Sequence, residues 1–351
     1  MSGTVHVEVQ GGLGILTLDR PRALNALDRG MVRSVSKALR RWRDDDGIRA
    51  VLIRAVPGRA FCAGGDIVGV VETAKTEGAA AAAPFFFDEY RMNWRIGNLG
   101  KPFIALLDGI TMGGGVGISV HGSHRIATEN TLLAMPETGI GFFPDVGGSH
   151  FLPRLPAHAG LYLGLTGERV DGATATRLGI ATHFVPAASL PALEAALVDG
   201  EGIDAALARF ADEPVPGGLD AVAIDRLFAA ASLDELLAGL ARDGGAFATG
   251  TLETLRQKSP LSVAVTFEEL RRGAGLDLAG CLAMEYRLVH RFLEGHDFPE
   301  GVRALLVDRD KQPRWQHATI EAVNEAEIAA CFAPLVGGDL EFDWQPRGED
   351  D

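Results

Sequence analysis

The stretch Lys101–Gly122, "KPFIALLDGITMGGGVGISVHG", decides how the chain is read. Phe103 to Leu107 is a short, wholly apolar run of the kind that forms a buried strand. Gly113, Gly114 and Gly115 follow, and they lead into a helical segment that runs through about Val120. Strand, glycine turn and helix in so short a span is α/β architecture in miniature.

Working outward, the same grammar recurs. Val5 to Val9 alternates, Gly11-Gly12 makes a turn, and Ile15 to Leu18 alternates again, so a hairpin is expected. Leu24 to Trp42 has apolar residues at helical spacing, with Arg40, Arg41 and Arg43 at its end, where cations suit the helix dipole. Val51 to Ala55 reads as a buried strand, and "FCAGGD" (61–66) as the glycine turn that interrupts it. Residues 78–84, "GAAAAAP", are open between a helix start and a mobile loop, and Phe85 to Ile96 is helical. Short strands are expected at 126–127 and 132–134. After Pro191 the pattern becomes helical, with segments at 192–210, 219–242, 246–257, 260–272, 277–293 and 299–306, and "DEPVPGG" (212–218) as a link. The expected division is therefore an α/β core over 1–190 and a helical C-terminal region over 191–351.

Composition bounds the function. The chain has 351 residues, 47% hydrophobic and 23% charged, which suits one large globular domain or two small ones. A net charge of −14 argues against nucleic acid and against an acidic membrane surface as partners. Cys62, Cys281 and Cys331 are odd in number and widely spaced, which suggests neither a disulfide framework nor a zinc site. "MSGTVHVEVQ" lacks the features of a signal or transit peptide, and no transmembrane run is seen. A cytoplasmic enzyme is the expectation.

Two glycine turns, in "FCAGGD" and "DGITMGGGVG" (108–117), each follow an apolar strand. Backbone N–H groups at such turns can converge on one anionic oxygen, and a helix starting near Gly114 adds its positive end. The plain alternative is two structural turns. The chain has no phosphate-loop motif, no dinucleotide fingerprint and no nucleophile-elbow serine. His121 and His124 lack the companions of a zinc motif and read as helix-end histidines; no metal is expected. Glu137 and Asp145 stand eight residues apart in the apolar segment "AMPETGIGFFPDVGGSHFLPRL" (134–155). A carboxylate in such surroundings has a raised proton affinity, suited to acid–base work or to covalent attack on an acyl carbon. Helix capping is the equally open alternative for both.

"GRAFCAGGDI", "KPFIALLDGITMGGGVGISVHG" and "MPETGIGFFPDVGGSHFLPRL" together strongly resemble the crotonase (enoyl-CoA hydratase/isomerase) superfamily. "SPLSV" (259–263), "MEYRL" (284–288) and "GHDFPEGVRALLVDRDKQPRW" (295–315) are similar to its 3-hydroxyisobutyryl-CoA hydrolase branch. The likeness spans about residues 5 to 335. It implies a crotonase (ClpP-like) fold of repeated β-β-α units, followed by helices that cover the site or mediate oligomer contacts. It implies an acyl-CoA substrate, with coenzyme A as part of the substrate and no separate cofactor. Carried over by position, the oxyanion donors are the N–H groups of Ala63 and Gly114. Gly65, Asp66 and Glu89 contact substrate, and Glu137 and Asp145 are catalytic. Hydratases of the superfamily carry a further glutamate where this chain has Gly117, so hydrolysis is favoured, with a short-chain enoyl-CoA hydratase or isomerase as the alternative. Arg20, Arg22 and Arg59 are candidates to meet the phosphates. A homo-oligomer, such as the trimers of relatives, and a tail folded back on its own core both stay open.

Overall fold

The computed structural model describes residues 3–215 and 217–345. Met1, Ser2, Pro216 of the expected link and the last six residues lie outside the described set.

The hairpin forms as read. β1 (Thr4–Gln10) and β2 (Leu13–Asp19) pair antiparallel about the Gly11-Gly12 turn. The next helix, α1, is Arg29–Arg43 and starts later than the periodicity implied. Asp28 caps it by accepting from Met31 N–H, while Leu24 and Asn25 take positive φ and keep 24–27 out of the helix.

Then a two-strand unit repeats. β3 (Ala50–Ala55) and β4 (Ala60–Cys62) lead to α2 (Ile67–Glu77) and α3 (Ala79–Gly97). β5 (Phe103–Leu107) and β6 (Ile110–Met112) lead to α4 (Gly114–Val120). β7 (His124–Ala127) and β8 (Leu132–Ala134) lead to a 3₁₀ turn at Glu137–Ile140 and to α5 (Gly148–Phe151). α6 (Ala159–Thr166), β9 (Val170–Asp171), α7 (Gly172–Arg177) and β10 (His183–Phe184) complete the core. The first strand of each unit joins a six-stranded sheet of order β1-β2-β3-β5-β7-β10, and the second joins a four-stranded sheet of order β4-β6-β8-β9. The stretch "GAAAAAP" is helical, continuous with Phe85–Ile96 in α3.

Alternation along the large sheet explains its two covers. Leu13, Ile15, Leu52, Ile104 and Ile126 point outward, where α8 (Leu190–Val198) and α9 (Ile203–Phe210) bury them with Leu193, Leu197 and Leu207. Leu16, Leu18, Val51, Ile53, Phe103 and Ala105 point inward to the main core. That core runs on without a break into α10 (Ala221–Phe228), α11 (Leu233–Asp243), α12 (Ala246–Gln257), α13 (Pro260–Gly273), α14 (Leu278–Glu294), α15 (Asp297–Val302) and α16 (Glu325–Cys331). Two expected long helices, 192–210 and 219–242, are each broken in two, at 199–202 and at 229–232. The three cysteines are free and buried, and no described helix is long and apolar enough to cross a membrane.

Candidate active site

β4, β6 and β8 are neighbouring parallel strands, so their carboxyl ends share one edge, the place where such sheets present ligand sites. From that edge come the bend 63–66, the start of α4 and the turn bearing Glu137. In the first bend, Leu27 N–H donates to Gly64 O and Asp66 N–H donates to Leu27 O, both at 2.8 Å. These bonds straddle Gly65, so its own N–H points away from Leu27. A methyl group built on Gly114 would lie 3.1 Å from the Gly65 nitrogen and 2.7 Å from Oε1 of Glu89. Gly114 opens α4, where no carbonyl one turn back can accept its N–H. The Gly65 nitrogen and the Glu89 carboxyl therefore crowd the start of α4, and glycine at 114 is what lets them approach.

The structure corrects two expected residues here. Ala63 was expected to supply the first oxyanion donor, but its N–H is committed to Leu24 O at 3.0 Å, and it is the Gly65 nitrogen that stands beside Gly114. Asp66 was expected to contact substrate. Its Oδ1 instead caps α2 by accepting from Gly69 N–H, and its Oδ2 pairs with Arg20 at 2.8 Å.

Glu137 follows β8 and reaches back over α4: a methyl group on Gly113 would stand 2.8 Å from its Oε1. Its carboxyl is buried, and Oε2 has no hydrogen-bond partner. Asp145 is buried too. It is no helix cap: its Oδ2 accepts from Tyr90 O–H at 2.9 Å. Glu89, one residue before Tyr90 on α3, is buried with Oε1 unpartnered. Burial pushes the Glu137 and Glu89 carboxyls well above the usual range, and the nearby Asp145 adds to both. Asp145 itself is pushed up to about 7 by burial, against the opposing pull of the Tyr90 hydrogen bond.

The position of Gly117 is filled from the other side. A methyl group there would stand 2.5 Å from Cβ of Val146 and 3.1 Å from Nδ2 of Asn93. Val146 holds φ at +53°, unusual for a β-branched residue and worth about 1–3 kcal/mol of strain.

Two further acids complete the site, and sequence reasoning missed their part. Glu269 on α13 is fully buried with neither oxygen partnered. Burial pushes its carboxyl well up, with Glu285, Asp145 and Glu137 adding to the rise. Glu285 on α14 accepts from Gly147 N–H (2.7 Å), Ser149 N–H (3.1 Å) and Ser149 O–H (2.5 Å). Burial still carries it to about 8. Among the described residues no ion pair reaches any of these five acids. Five uncompensated charges cannot share so dry a space, so most of the carboxyls hold their protons. The signal for Glu285 lay in "MEYRL"; for Glu269 it was the face shared with Ser262, Thr266 and Gly273, all buried along α13.

Of the arginines, Arg20 is tied to Asp66 and to Ala26 O, whereas Arg22 and Arg59 are exposed. A cleft of about 350 Å³, lined by Asp28, Arg29, Asp66, Gly69, Val70 and Phe85 among others, opens beside the first bend. His121 donates from Nε2 to Val146 O and His124 pairs with Ser123. Among the described residues no group of three or more acidic, histidine or cysteine side chains could hold a metal ion.

The profile of the enoyl-CoA hydratase/isomerase family matches residues 13–332. The chain is 45% identical to a zebrafish (Danio rerio) protein named 3-hydroxyisobutyryl-CoA hydrolase, mitochondrial, over 96% of this chain and 91% of that one. It is 41% identical to the human protein of the same name, over 96% and 90%. A solved structure named as a carnitinyl-CoA dehydratase from Mycobacterium thermoresistibile superposes with a TM-score of 0.91 at 42% identity, covering 97% of this chain and 98% of that one. One named as an enoyl-CoA hydratase from Rhodobacter sphaeroides gives 0.89 at 42%, covering 96% and 99%. The curated relatives are named as mitochondrial, which overturns the cytoplasmic expectation drawn from the first residues.

Proposed function

The chain belongs to the enoyl-CoA hydratase/isomerase family, and on that premise we propose that it is an acyl-CoA thioester hydrolase acting on 3-hydroxyisobutyryl-CoA. One observation carries the choice of hydrolysis over hydration. Val146 occupies the space beside Gly117 in which the further glutamate of hydratases would have to stand. The acid supplied instead is Asp145, the residue before Val146, bonded to Tyr90.

In this reading the thioester carbonyl oxygen rests on the N–H groups of Gly65 and Gly114, which stabilise the charge that develops there. Glu137, ionised, attacks the carbonyl carbon to give an acyl anhydride, which water then hydrolyses to the free acid with return of the Glu137 carboxylate, or it takes a proton from the water that attacks the carbonyl directly. The carbon–sulfur bond breaks, and the sulfur leaves as the thiol of coenzyme A once it gains a proton. Asp145 contacts the substrate hydroxyl or assists that proton transfer. Glu89, whose carboxyl borders the same point, contacts the substrate. No separate cofactor is invoked, and assembly as a homo-oligomer is part of this proposal only by analogy with the family.

The names of the two solved neighbours favour a second reading, addition of water to an enoyl-CoA. Thiol release separates the two. The hydrolase reading expects free thiol from 3-hydroxyisobutyryl-CoA; hydration of crotonyl-CoA without thiol release would favour the lyase.

A further inference from the structure

The turn that carries Asp145 is held from two helices. His121, at the end of α4, donates from Nε2 to Val146 O at 2.7 Å. Burial keeps its pKa down to about 4, so the ring is neutral with the proton on Nε2. From α14, Glu285 takes both amide hydrogens that follow, at Gly147 and Ser149, and the Ser149 hydroxyl. Between these anchors Gly147 has φ +84°, which glycine tolerates, but Val146 holds φ at +53°, unfavourable for a β-branched residue. Such a conformation persists only where its surroundings over-determine it. The same strained residue seals the Gly117 side, so the turn sets both where the Asp145 carboxyl points and which acid is absent.

We infer that Glu285 is a positioning residue for the reaction: its carboxyl group holds the 145–149 turn so that Asp145 faces Tyr90 and the substrate. This rests on the role given to Asp145 above. Glu285 lies more than a hundred residues beyond the glycine turns, on a helix of the C-terminal region, so that region takes part in setting the geometry of the reacting groups.

A double-mutant cycle tests it. Glu285→Gln keeps the shape but places an amide against the two N–H donors. It should lower kcat/KM for thiol release from 3-hydroxyisobutyryl-CoA by about 10- to 100-fold, the effect of a displaced reacting group. The loss should divide between kcat and KM as that of Asp145→Asn does. In the Asp145→Asn background the same change should cost less than about threefold, because the group it positions is already gone. Ser149→Ala, which removes one of the three donors, should show a smaller loss with the same dependence on Asp145. It serves if Glu285→Gln does not fold by circular dichroism. Equal losses in both backgrounds, or no loss beside an impaired Asp145→Asn, overturn the inference and leave the proposed function standing. An unimpaired Asp145→Asn removes Asp145 from the mechanism, and the inference with it.

Discussion

Glu137 is the residue on which the chemistry turns, and its burial sets a testable consequence. A group that attacks or deprotonates must be ionised, yet burial and Asp145 hold its proton well above the usual carboxylate range. Activity should therefore rise with pH through a limb displaced upward from that range, seen in a profile of kcat/KM. A limb at an ordinary carboxylate value would show Glu137 to be solvated in the working enzyme. Glu269 has no partner and gives a stability signature. A carboxyl with a raised pKa in the folded state keeps its proton where the unfolded chain has lost it. Its contribution is whole below about pH 4 and is lost as pH rises through the folded value. For Glu285, at about 8, that window runs from about pH 4 to pH 8, at roughly 1.4 kcal/mol per pH unit. Glu269 works in the same direction, so Glu269→Gln should narrow the gap in stability between pH 5.5 and pH 8, read by urea melts. An unchanged gap would mean the Glu269 carboxyl is already ionised. Gly117 is the third case. Gly117→Ala should destabilise the protein by about 1–3 kcal/mol, because its methyl group meets Val146. A wild-type melt would show that Val146 gives way.

At the scale of elements, the sequence was legible wherever local chemistry decides. The Gly11-Gly12 hairpin, the strand at Phe103–Leu107 and the glycine-led helix at Gly114–Val120 all form. It misled where a backbone choice hides behind an apolar pattern. Leu24 to Leu27 has helical spacing but runs alongside the bend 63–66, giving and taking the bonds that orient Gly65. That pairing across nearly forty residues has no local signal, and it leaves the Gly65 N–H, not that of Ala63, as the proposed donor. Asp66 is the converse, an acid beside the site that belongs to a helix cap. Asp66→Ala should cost about 1 kcal/mol of stability, measured by denaturant, while leaving kcat within a few-fold. A loss of several hundredfold in kcat with intact folding would return Asp66 to the substrate.

At the scale of the molecule, the core and its C-terminal helices share one apolar cluster, and the acidic site lies where they meet. The positions of Glu137, Asp145 and Glu89 could be named from motifs. The convergence of Glu269 and Glu285 on them could not, because it depends on how α13 and α14 pack against α5 and α3. The tail continues that closure: Trp94 stacks on Phe342 and packs at a tilt against Trp344, and the buried Arg91 pairs with Asp343. A net charge of −14 thus coexists with a site whose own acids stay largely neutral, since burial acts on each carboxyl locally. The most direct measurement is thiol release from 3-hydroxyisobutyryl-CoA by the wild-type chain and by Glu137→Gln. Free thiol from the first and a fall of several orders of magnitude in the second are expected; near-normal turnover by Glu137→Gln would contradict the account.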